Sequence, residues 1–250
     1  MSVKPVAVLS DIHGNRWALQ AVLEDIERRG IECIVNLGDS LYGPLDPAGT
    51  AQILVERDMP TVQGNEDRIL IEAFLGEAHS PSLGYVRDQL AASHIEWLES
   101  LEISTTAYED FFLCHGTPEK DDEYLLQNVL EGEVCLRTPK EVQERIGPID
   151  QPVVLCGHDH IARTIHLPNG MLVVDPGSVG LPAYRDDVPY PHAMESGTPH
   201  ARYSIVWRHN GEWQVEELLS EYEWEVAAEV ALKNGRADWA EWLRTGRSVA

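Results

Sequence analysis

The sequence predicts an α/β fold, and three observations support this prediction. The first forty residues alternate a short apolar run, an amphipathic helical pattern and a second apolar run. The second half contains two pairs of apolar runs joined by Asn-Gly turns, which are typical of β-hairpins. Several apolar runs end in glycine beside a polar side chain, as strands do where an open α/β sheet binds its ligand. Parallel and antiparallel strands are therefore both expected.

The N-terminal segment predicts a strand, a helix and a strand in that order. Val6 to Leu9 is an apolar run typical of a buried strand. From Arg16 onwards apolar residues recur every three or four positions until Gly30, where we expect the helix to end. Ile31 to Leu37 is the second apolar run. This order predicts a parallel strand pair with a right-handed crossover.

The next segment is predicted to be mainly helical. Asp46 followed by Pro47 is typical of a helix start, and this helix is expected to run to about Val55. Thr61 to Gln63 is predicted to be a third strand. Further helices are predicted from the three- and four-residue spacing of apolar side chains in two ranges, 70–75 and 85–98.

The second half is predicted to be richer in β-structure. Ile103 to Ala107 and Phe111 to Cys114 are expected to pair, and 153–156 is expected to be another buried strand. Residues 118–148 are polar, and we predict two short helices there. The predicted hairpins pair 161–167 with 171–174 and 203–207 with 213–218.

Two further segments complete the chain. Residues 176–200 have no periodic pattern, and a loop this long in a folded domain is usually functional or disordered. Because predicted strands flank this segment, we expect it to be ordered. Two C-terminal helices are predicted, with a break at Asn234-Gly235. The spacing of Trp224, Trp239 and Trp242 indicates that these helices dock on the core, with a self-association surface as the alternative.

The charge balance excludes some classes of partner. The 250 residues include 19 Lys and Arg against 42 Asp and Glu, a formal net charge of −23. Such a surface repels long nucleic acids and anionic membranes. The four cysteines have no C-x-x-C spacing, and no apolar run approaches the roughly 18 residues of a membrane span. We therefore expect a cytoplasmic protein without a membrane partner; the sequence carries no signal for an oligomeric state.

The most informative pattern is a recurrence of metal-ligand residue types after apolar runs. Side chains two positions apart on a strand share a face, so Asp11 and His13 are expected to meet one ion, and His158 and His160 likewise. Nitrogen and oxygen donors without thiolate suit Mn, Fe, Ni, Co or Zn. Asp39 is placed to bridge two ions. The candidate metal ligands are Asp11, His13, Asp39, Asn65, His115, His158 and His160.

These motifs resemble those of the calcineurin-like metallophosphoesterase superfamily, and most closely its small prokaryotic phosphodiesterase and diadenosine-tetraphosphatase-like branch. The motif series spans about residues 6–180, and residues 38–44 and 175–180 support it. The resemblance implies a four-layer α/β/β/α sandwich of two mixed β-sheets flanked by helices. We expect one domain over 1–250, with a core to about 219 and a helical extension over about 220–250.

The resemblance also implies an activity. Asp11, His13 and His160 would hold one ion, Asn65, His115 and His158 a second, and Asp39 would bridge them. The ions would be divalent or trivalent transition metals, with Mn and Fe favoured. A hydroxide between them would attack phosphorus in a small-molecule or nucleotide phosphodiester or phosphoanhydride. The expected catalytic residues are Asp39, His115 and Glu66.

The third motif departs from the family pattern. The family has Gly-Asn-His at this point, whereas this chain has Gly64-Asn65-Glu66. A glutamic acid with a raised pKa can still donate a proton, but an ionised one repels phosphate. We therefore expect a preference for a good leaving group, such as a phosphate anhydride, over an alkyl monoester.

Three residues are candidates for binding a small anionic, phosphate-containing substrate. Asn15 and Arg16 stand at the start of the first helix, where anions bind well, although Asn15 is also a natural N-cap. Arg185 lies in the long loop, where it can clamp a phosphate or form a surface ion pair.

The sequence bears on two other functions. A non-catalytic metal-binding scaffold of the same fold remains open, because the third-motif histidine is missing. A metallo-β-lactamase-type hydrolase is excluded, because the chain has no His-x-His-x-Asp-His run.

Overall fold

Within residues 4–77 and 80–248, which the computed structural model describes, the chain forms thirteen strands and eight α-helices. The strands are β1 (Val6–Leu9), β2 (Cys33–Asn36), β3 (Ser104–Ala107), β4 (Phe111–Cys114), β5 (Gln127–Leu130), β6 (Glu133–Leu136), β7 (Val153–Leu155), β8 (Arg163–His166), β9 (Leu172–Asp175), β10 (Ala183–Asp186), β11 (His192–Glu195), β12 (Ala201–His209) and β13 (Glu212–Ser220). The helices are α1 (Arg16–Arg28), α2 (Pro47–Arg57), α3 (Asn65–Glu72), α4 (Pro81–Gln89), α5 (Ala92–Glu99), α6 (Pro139–Ile146), α7 (Trp224–Lys233) and α8 (Ala237–Thr245).

Two mixed sheets form the centre of the molecule. One has four strands in the order β13-β12-β1-β2, and the other has five in the order β3-β4-β7-β9-β8. β1 and β2 are parallel, with Val8 opposite Val35, as the strand-helix-strand order predicts. The predicted hairpins β8–β9 and β12–β13 are antiparallel. β5–β6 and β10–β11 form separate two-stranded sheets.

Alternating side chains explain why the sheets stack. In β1, Val6 and Val8 face the space between the sheets, whereas Ala7 and Leu9 face the helices. The five-stranded sheet alternates in the same way, since Val153 of β7 faces the intersheet core. Both faces of each sheet are thus apolar, and each sheet needs a partner on both sides.

Helices cover the outer faces. Leu19, Val22 and Ile26 of α1 pack in one cluster with the outer face of β1. On the other sheet, Val142 and Ile146 of α6 pack against residues of β4, β7 and β9. The result is an α/β/β/α sandwich, which confirms the predicted fold class.

Several local predictions need correction. Thr61–Gln63 makes only two isolated bridges, Asn36 with Thr61 and Val62 with Glu102, because α3 starts directly afterwards. Residues 118–148 hold one helix, α6, and not two. The other expected helix is replaced by the β5–β6 hairpin, whose two-residue turn ends in Gly132 at φ 79°.

The two remaining long segments also differ in detail from the prediction. The 85–98 pattern is split between α4 and α5, because Leu90 is extended at φ −86° and ψ 139°. Residues 176–200 are ordered, as expected, and contain the β10–β11 hairpin.

The C-terminal helices dock on the body of the molecule. Trp239 and Trp242 are 2% and 8% exposed, and they share an apolar cluster with Leu45 and Leu181. Trp224 is only half-buried, beside His200. No helix among the described residues is long and apolar enough to cross a bilayer.

Candidate metal centre

Four loops at the ends of strands and the start of α3 bring the candidate ligands together. Asp11 and His13 follow β1, and Asp39 follows β2. The backbone joins these two loops, since Asp11 N donates to Gly38 O at 3.0 Å and His13 N to Asp39 O at 2.9 Å. The loops after β4 and β7 are joined similarly, by Gly157 N to His115 O at 2.7 Å. Asn65 is the first residue of α3.

The backbone at this point has an unusual conformation. Non-glycine residues rarely adopt a positive φ, and those that do often lie at functional sites. Nine are found among the described residues, and five of these are predicted ligands. They are Asp11 (φ 54°), His13 (52°), Asp39 (52°), His158 (73°) and His160 (63°).

The candidate ligands form two adjoining groups. In one, the ligand atoms of Asp11, His13 and His160 all lie within 4.8 Å of one another; in the other, those of Asp39, His115 and His158 do. His158 and His160 therefore do not share a group, contrary to the strand-alternation expectation. His158 and His160 lie beyond the end of β7, so strand alternation does not fix which way their side chains point.

Two oxygen donors, from Asp39 and Asn65, lie close to His115. Asp39 Oδ2 lies 3.3 Å from His115 Nε2, and Asp39 also forms a cluster with His13 and Glu66. Asn65 Oδ1 lies 3.1 Å from His115 Nε2. Asp39 thus lies between the groups, and Asn65 lies beside the second.

Backbone carbonyls hold three of the imidazoles in one orientation. In each ring, Nδ1 faces a carbonyl oxygen. Because a carbonyl oxygen can only accept a hydrogen bond, Nδ1 carries a proton. When such a ring is neutral, its lone pair is therefore on Nε2. Those Nε2 atoms point into the centre. The distances from Nδ1 to the carbonyl oxygen are 2.7 Å from His115 to Leu37, 2.8 Å from His160 to Leu181 and 3.2 Å from His13 to Tyr42.

The inward-facing atoms have no adequate partner within the protein. Nε2 of His13 and Nε2 of His160 are 3.1 Å apart, and Asp11 Oδ1 lies 3.1 Å from the latter. Asp11 is fully buried, yet its Oδ1 makes no hydrogen bond. A buried carboxylate oxygen facing two imidazole nitrogens is well suited to a transition-metal cation. These residues therefore fit the metal that the motifs imply.

Electrostatics at the centre are dominated by carboxylates and imidazoles in mutual contact. Burial opposes ionisation of Asp11, but the rings of His160 and its neighbours outweigh burial and hold the Asp11 pKa well below its usual range. Burial also opposes charging of His13 and His115. The carboxylates beside them nevertheless raise the pKa of His13 to about 9 and that of His115 to about 10. The site therefore attracts positive charge, either as protons or as metal ions.

His158 behaves differently from the other imidazoles. Burial, together with the neighbouring His115, lowers the pKa of His158 to about 4. Its ring stacks at 4.7 Å on the ring of Tyr124, and its backbone N donates to Asp11 Oδ2 at 3.2 Å. This imidazole is neutral at pH 7 and available as a ligand.

Glu66 lies beside the first group. Its Oε2 is 3.2 Å from His13 Nδ1, and its backbone N donates to Asp39 Oδ1 at 2.9 Å. The side chain is 26% exposed, but Oε2 itself is buried, and burial raises the Glu66 pKa to about 7. The carboxyl group faces Nδ1 of His13, and the Glu66 side chain also lines the cleft in front of the candidate ligands.

Asp67 is a residue that the motif analysis did not single out. Its Oδ1 accepts from Ser40 N at 2.9 Å and its Oδ2 from Gly64 N at 3.1 Å. It therefore joins the loop that carries Asp39 to the loop that carries Asn65. The only sequence signal for Asp67 is that an acidic residue stands two positions after the motif asparagine. The same pattern is typical of an ordinary carboxylate at the start of a helix.

The three predicted substrate-binding residues have different environments. Asn15 is buried and caps α1, with Oδ1 accepting from Ala18 N at 3.2 Å and Nδ2 donating to Gly180 O at 2.9 Å. It does not line the cleft, so the N-cap interpretation is correct. Arg16 also lies outside the cleft and pairs with Asp46 at 2.9 Å.

Arg185 does line a cleft of about 280 Å³ in front of the candidate ligands. Its guanidinium donates to Ser248 O at 2.9 Å. Among the described residues, no carboxylate lies within 4.0 Å of it, so the surface ion-pair alternative is not observed. Of the three candidates, Arg185 has the best position for an anion.

The C-terminal helices contribute cleft residues that the sequence did not indicate. Trp239 packs edge-on against His13, with ring centroids 5.8 Å apart, and lines the cleft together with Trp242. Arg236, just after the Asn234-Gly235 turn, also lines it and pairs with Asp238 at 2.7 Å. The tryptophan spacing predicts that these helices dock, but not where they do so.

Comparison with known proteins agrees with this geometry. The model of the calcineurin-like phosphoesterase superfamily domain matches residues 5–193. An uncharacterized protein of the archaeon Methanocaldococcus jannaschii is 24% identical over 255 residues, which cover 97% of this chain and 98% of that protein.

Solved structures share the fold. A metallophosphoesterase from Sphaerobacter thermophilus superposes with a TM-score of 0.76 at 22% identity, over 99% of this chain and 100% of that one. A proposed diadenosine tetraphosphatase superposes with a TM-score of 0.55 at 17% identity, over 88% and 95% of the two chains. The first of these similarities includes the C-terminal helices, because it spans nearly the whole chain.

Proposed function

The chain belongs to the calcineurin-like phosphoesterase superfamily, and we propose that it is a binuclear-metal phosphoesterase. Its substrates would be small-molecule or nucleotide phosphodiesters or phosphoanhydrides. The observation that carries the proposal is the buried, unbonded Oδ1 of Asp11, which faces two imidazole nitrogens fixed from behind by carbonyls.

The proposed ligand sets follow the two groups. Asp11, His13 and His160 would hold one ion, and Asn65, His115 and His158 the second. Asp39 would contribute to both, since its carboxylate lies near His13 and His115. Mn and Fe are the favoured metals. When bound, two such ions polarise a phosphoryl group and lower the pKa of water enough to supply the nucleophile.

The remaining chemistry belongs to side chains of this chain. Carbonyl-bound Nδ1 protons keep the imidazoles of His13, His115 and His160 in the tautomer that presents Nε2. Arg185 offers a guanidinium to phosphate oxygens at the mouth of the cleft. These groups would orient the substrate before any bond breaks.

Glu66 stands where the family has a histidine, but its carboxyl group cannot carry the positive charge of an imidazolium. The Glu66 side chain lines the cleft beside His13, so position 66 presents a carboxyl group there in place of the family's imidazole. This supports a preference for phosphate anhydrides or activated diesters over alkyl monoesters.

We further propose that residues 1–250 form one catalytic domain, with its core ending near residue 219. The extension over about 220–250 would form one wall of the cleft. Support comes from the contact of Trp239 with His13 and from the cleft-lining position of Arg236.

A metal-dependent turnover assay tests the proposal. Purified protein is loaded with Mn²⁺ and assayed with bis(p-nitrophenyl) phosphate, beside Asp39→Asn and the exposed control Asp150→Asn. We expect Mn²⁺-dependent hydrolysis in the wild type and the control, and its loss in Asp39→Asn. Metal binding without turnover would instead favour the non-catalytic scaffold, which the absent third-motif histidine keeps as a second candidate.

A further inference from the structure

A second cavity adjoins the candidate metal centre, and we propose that it binds a second anionic group of the substrate, a phosphate, through Arg137. This inference rests on the proposed function, because it assigns the two ends of the substrate of that same site.

The cavity borders the candidate centre. It has a volume of about 550 Å³, against about 280 Å³ for the cleft that contains Arg185. The two spaces share Asn65, His158 and Asp186 as lining residues. A substrate held at the centre can therefore extend into either space.

Two tyrosines form a fixed ridge between the spaces. Tyr184 lines the cleft and Tyr124 lines the second cavity, and their hydroxyl oxygens are 2.7 Å apart. The Tyr184 ring lies 4.5 Å from that of His160, and the Tyr124 ring lies 4.7 Å from that of His158. His158 lines both spaces, whereas His160 lines only the cleft, and an extended substrate would pass on both sides of this ridge.

The charges in the second cavity leave one guanidinium available. Lys120 and Arg145 both form ion pairs with Glu123. Arg137 has no carboxylate within 4.0 Å among the described residues, and its buried Nε has no hydrogen-bond partner. Burial and the neighbouring Arg145 lower the pKa of Arg137, and the more distant Glu141 and Glu123 offset only part of this effect.

A phosphate is the ligand that such a guanidinium accommodates best. Arginine binds phosphate oxygens through two parallel N–H bonds, and in a partly buried site this interaction is strong. The net charge of −23 is enough to keep the chain soluble. An unpaired guanidinium near the candidate metal centre is therefore not needed for solubility. The cavity also carries Asp122 and Asp186, which would reject an anion placed away from Arg137.

The inference is tested by calorimetric titration of the Mn²⁺-loaded protein with ligands that cannot be hydrolysed. The probes are methylphosphonate, methylenediphosphonate and butane-1,4-diphosphonate, which carry one phosphonate or two at increasing separation. The variants are Arg137→Gln, Arg137→Lys and the control Arg57→Gln, an exposed residue at the end of α2.

We expect at least one diphosphonate to bind the wild type more tightly than methylphosphonate does. Arg137→Gln should weaken that diphosphonate about tenfold or more and leave methylphosphonate unchanged. Arg137→Lys should restore part of the affinity, and Arg57→Gln should match the wild type. Equal diphosphonate affinity in Arg137→Gln and the wild type would overturn the inference.

The outcome is separable from that of the proposed function. If the proposed function is wrong, the wild type does not hydrolyse bis(p-nitrophenyl) phosphate, whether or not it binds diphosphonates. Failure of this inference alone appears as normal turnover with no effect of Arg137 on diphosphonate binding. A far-UV circular dichroism spectrum and a melting temperature equal to those of the wild type verify that Arg137→Gln is folded.

Discussion

Glu66 Oε2 lies 3.2 Å from Nδ1 of His13, on the opposite side of the ring from Asp11. A carboxylate behind a ligating imidazole fixes the ring and increases its basicity. The residue that replaces the family's histidine therefore contacts a candidate ligand, and its side chain also lines the cleft. This relationship makes the role of Glu66 testable by metal affinity as well as by rate.

Glu66→Ala should weaken binding of the metal at the Asp11, His13 and His160 group. Removal of a carboxylate behind a ligating histidine typically costs about 10–100-fold in metal affinity. Titration of the metal-free protein with Mn²⁺, followed by calorimetry, measures this. Glu72→Ala, an exposed acidic residue at the end of α3, is the control and should bind as the wild type does. Unchanged affinity in Glu66→Ala would mean that the contact with His13 is incidental.

Glu66→His should change substrate preference. A histidine restores the family's third motif, so hydrolysis of an alkyl phosphate monoester should rise relative to that of a phosphate anhydride. The ratio of kcat/KM values for the two substrates is the readout. A ratio equal to that of the wild type would remove the link between Glu66 and the leaving group.

Without bound metal, the protein should lose stability as pH rises from 7 to 9. The pKa of His13 is raised to about 9 and that of His115 to about 10, whereas unfolded histidine titrates near 6.5. The native state therefore binds more protons than the unfolded state in this window, and the free energy of unfolding falls with increasing pH. His158, with its pKa lowered to about 4, has the opposite effect, but only below about pH 6.5.

Urea unfolding in EDTA at pH 7, 8 and 9 measures this dependence. Saturating Mn²⁺ should remove or reverse it, because metal ions bind deprotonated imidazoles. A metal-free protein that is equally stable, or more stable, at pH 9 than at pH 7 would contradict the predicted protonation of His13 and His115.

Gly64→Ala should disturb the centre through backbone crowding alone. Gly64 has an ordinary φ of −90°, but a Cβ there would lie 2.9 Å from Cγ of Asp39 and closer still to its Oδ1 and N. We expect a loss of about 1–3 kcal/mol in unfolding free energy, together with reduced Mn²⁺ content.

Gly84→Ala is the matched control for this variant. Gly84 lies inside α4, and a Cβ there would meet nothing within 4 Å, so the change should stabilise the helix by up to about 1 kcal/mol. Denaturation curves and metal analysis of the two variants give the comparison. Equal stability of Gly64→Ala and the wild type would show that Asp39 can move aside.

The strand ends were the part of the molecule most accessible to sequence analysis. Apolar runs such as Val6–Leu9 predict buried strands because only a short run with both faces apolar suits the middle of a layered fold. The polar residues after those runs were brought together because parallel strands end at one edge. Their grouping was not predictable from alternation, since His158 and His160 lie beyond the end of β7.

The cleft walls were much less accessible to sequence analysis. The hairpin β5–β6 turns at Glu131-Gly132, which is a weaker turn signal than Asn-Gly, and its strands are short. Arg137 and Arg236 owe their positions to tertiary packing of β6 and α8, and no local pattern encodes such contacts. Asp67 is similar, because its bond to Ser40 spans 27 residues.

Anomalous diffraction from crystals of the Mn²⁺-loaded protein tests the central claim most directly. The account predicts two manganese peaks about 3.5–4 Å apart. One should lie among Asp11, His13 and His160, the other should lie among Asn65, His115 and His158, and Asp39 should contact both. A single peak, or two peaks that leave Asp39 or the Asp11 Oδ1 atom without a metal contact, would contradict a binuclear phosphoesterase centre.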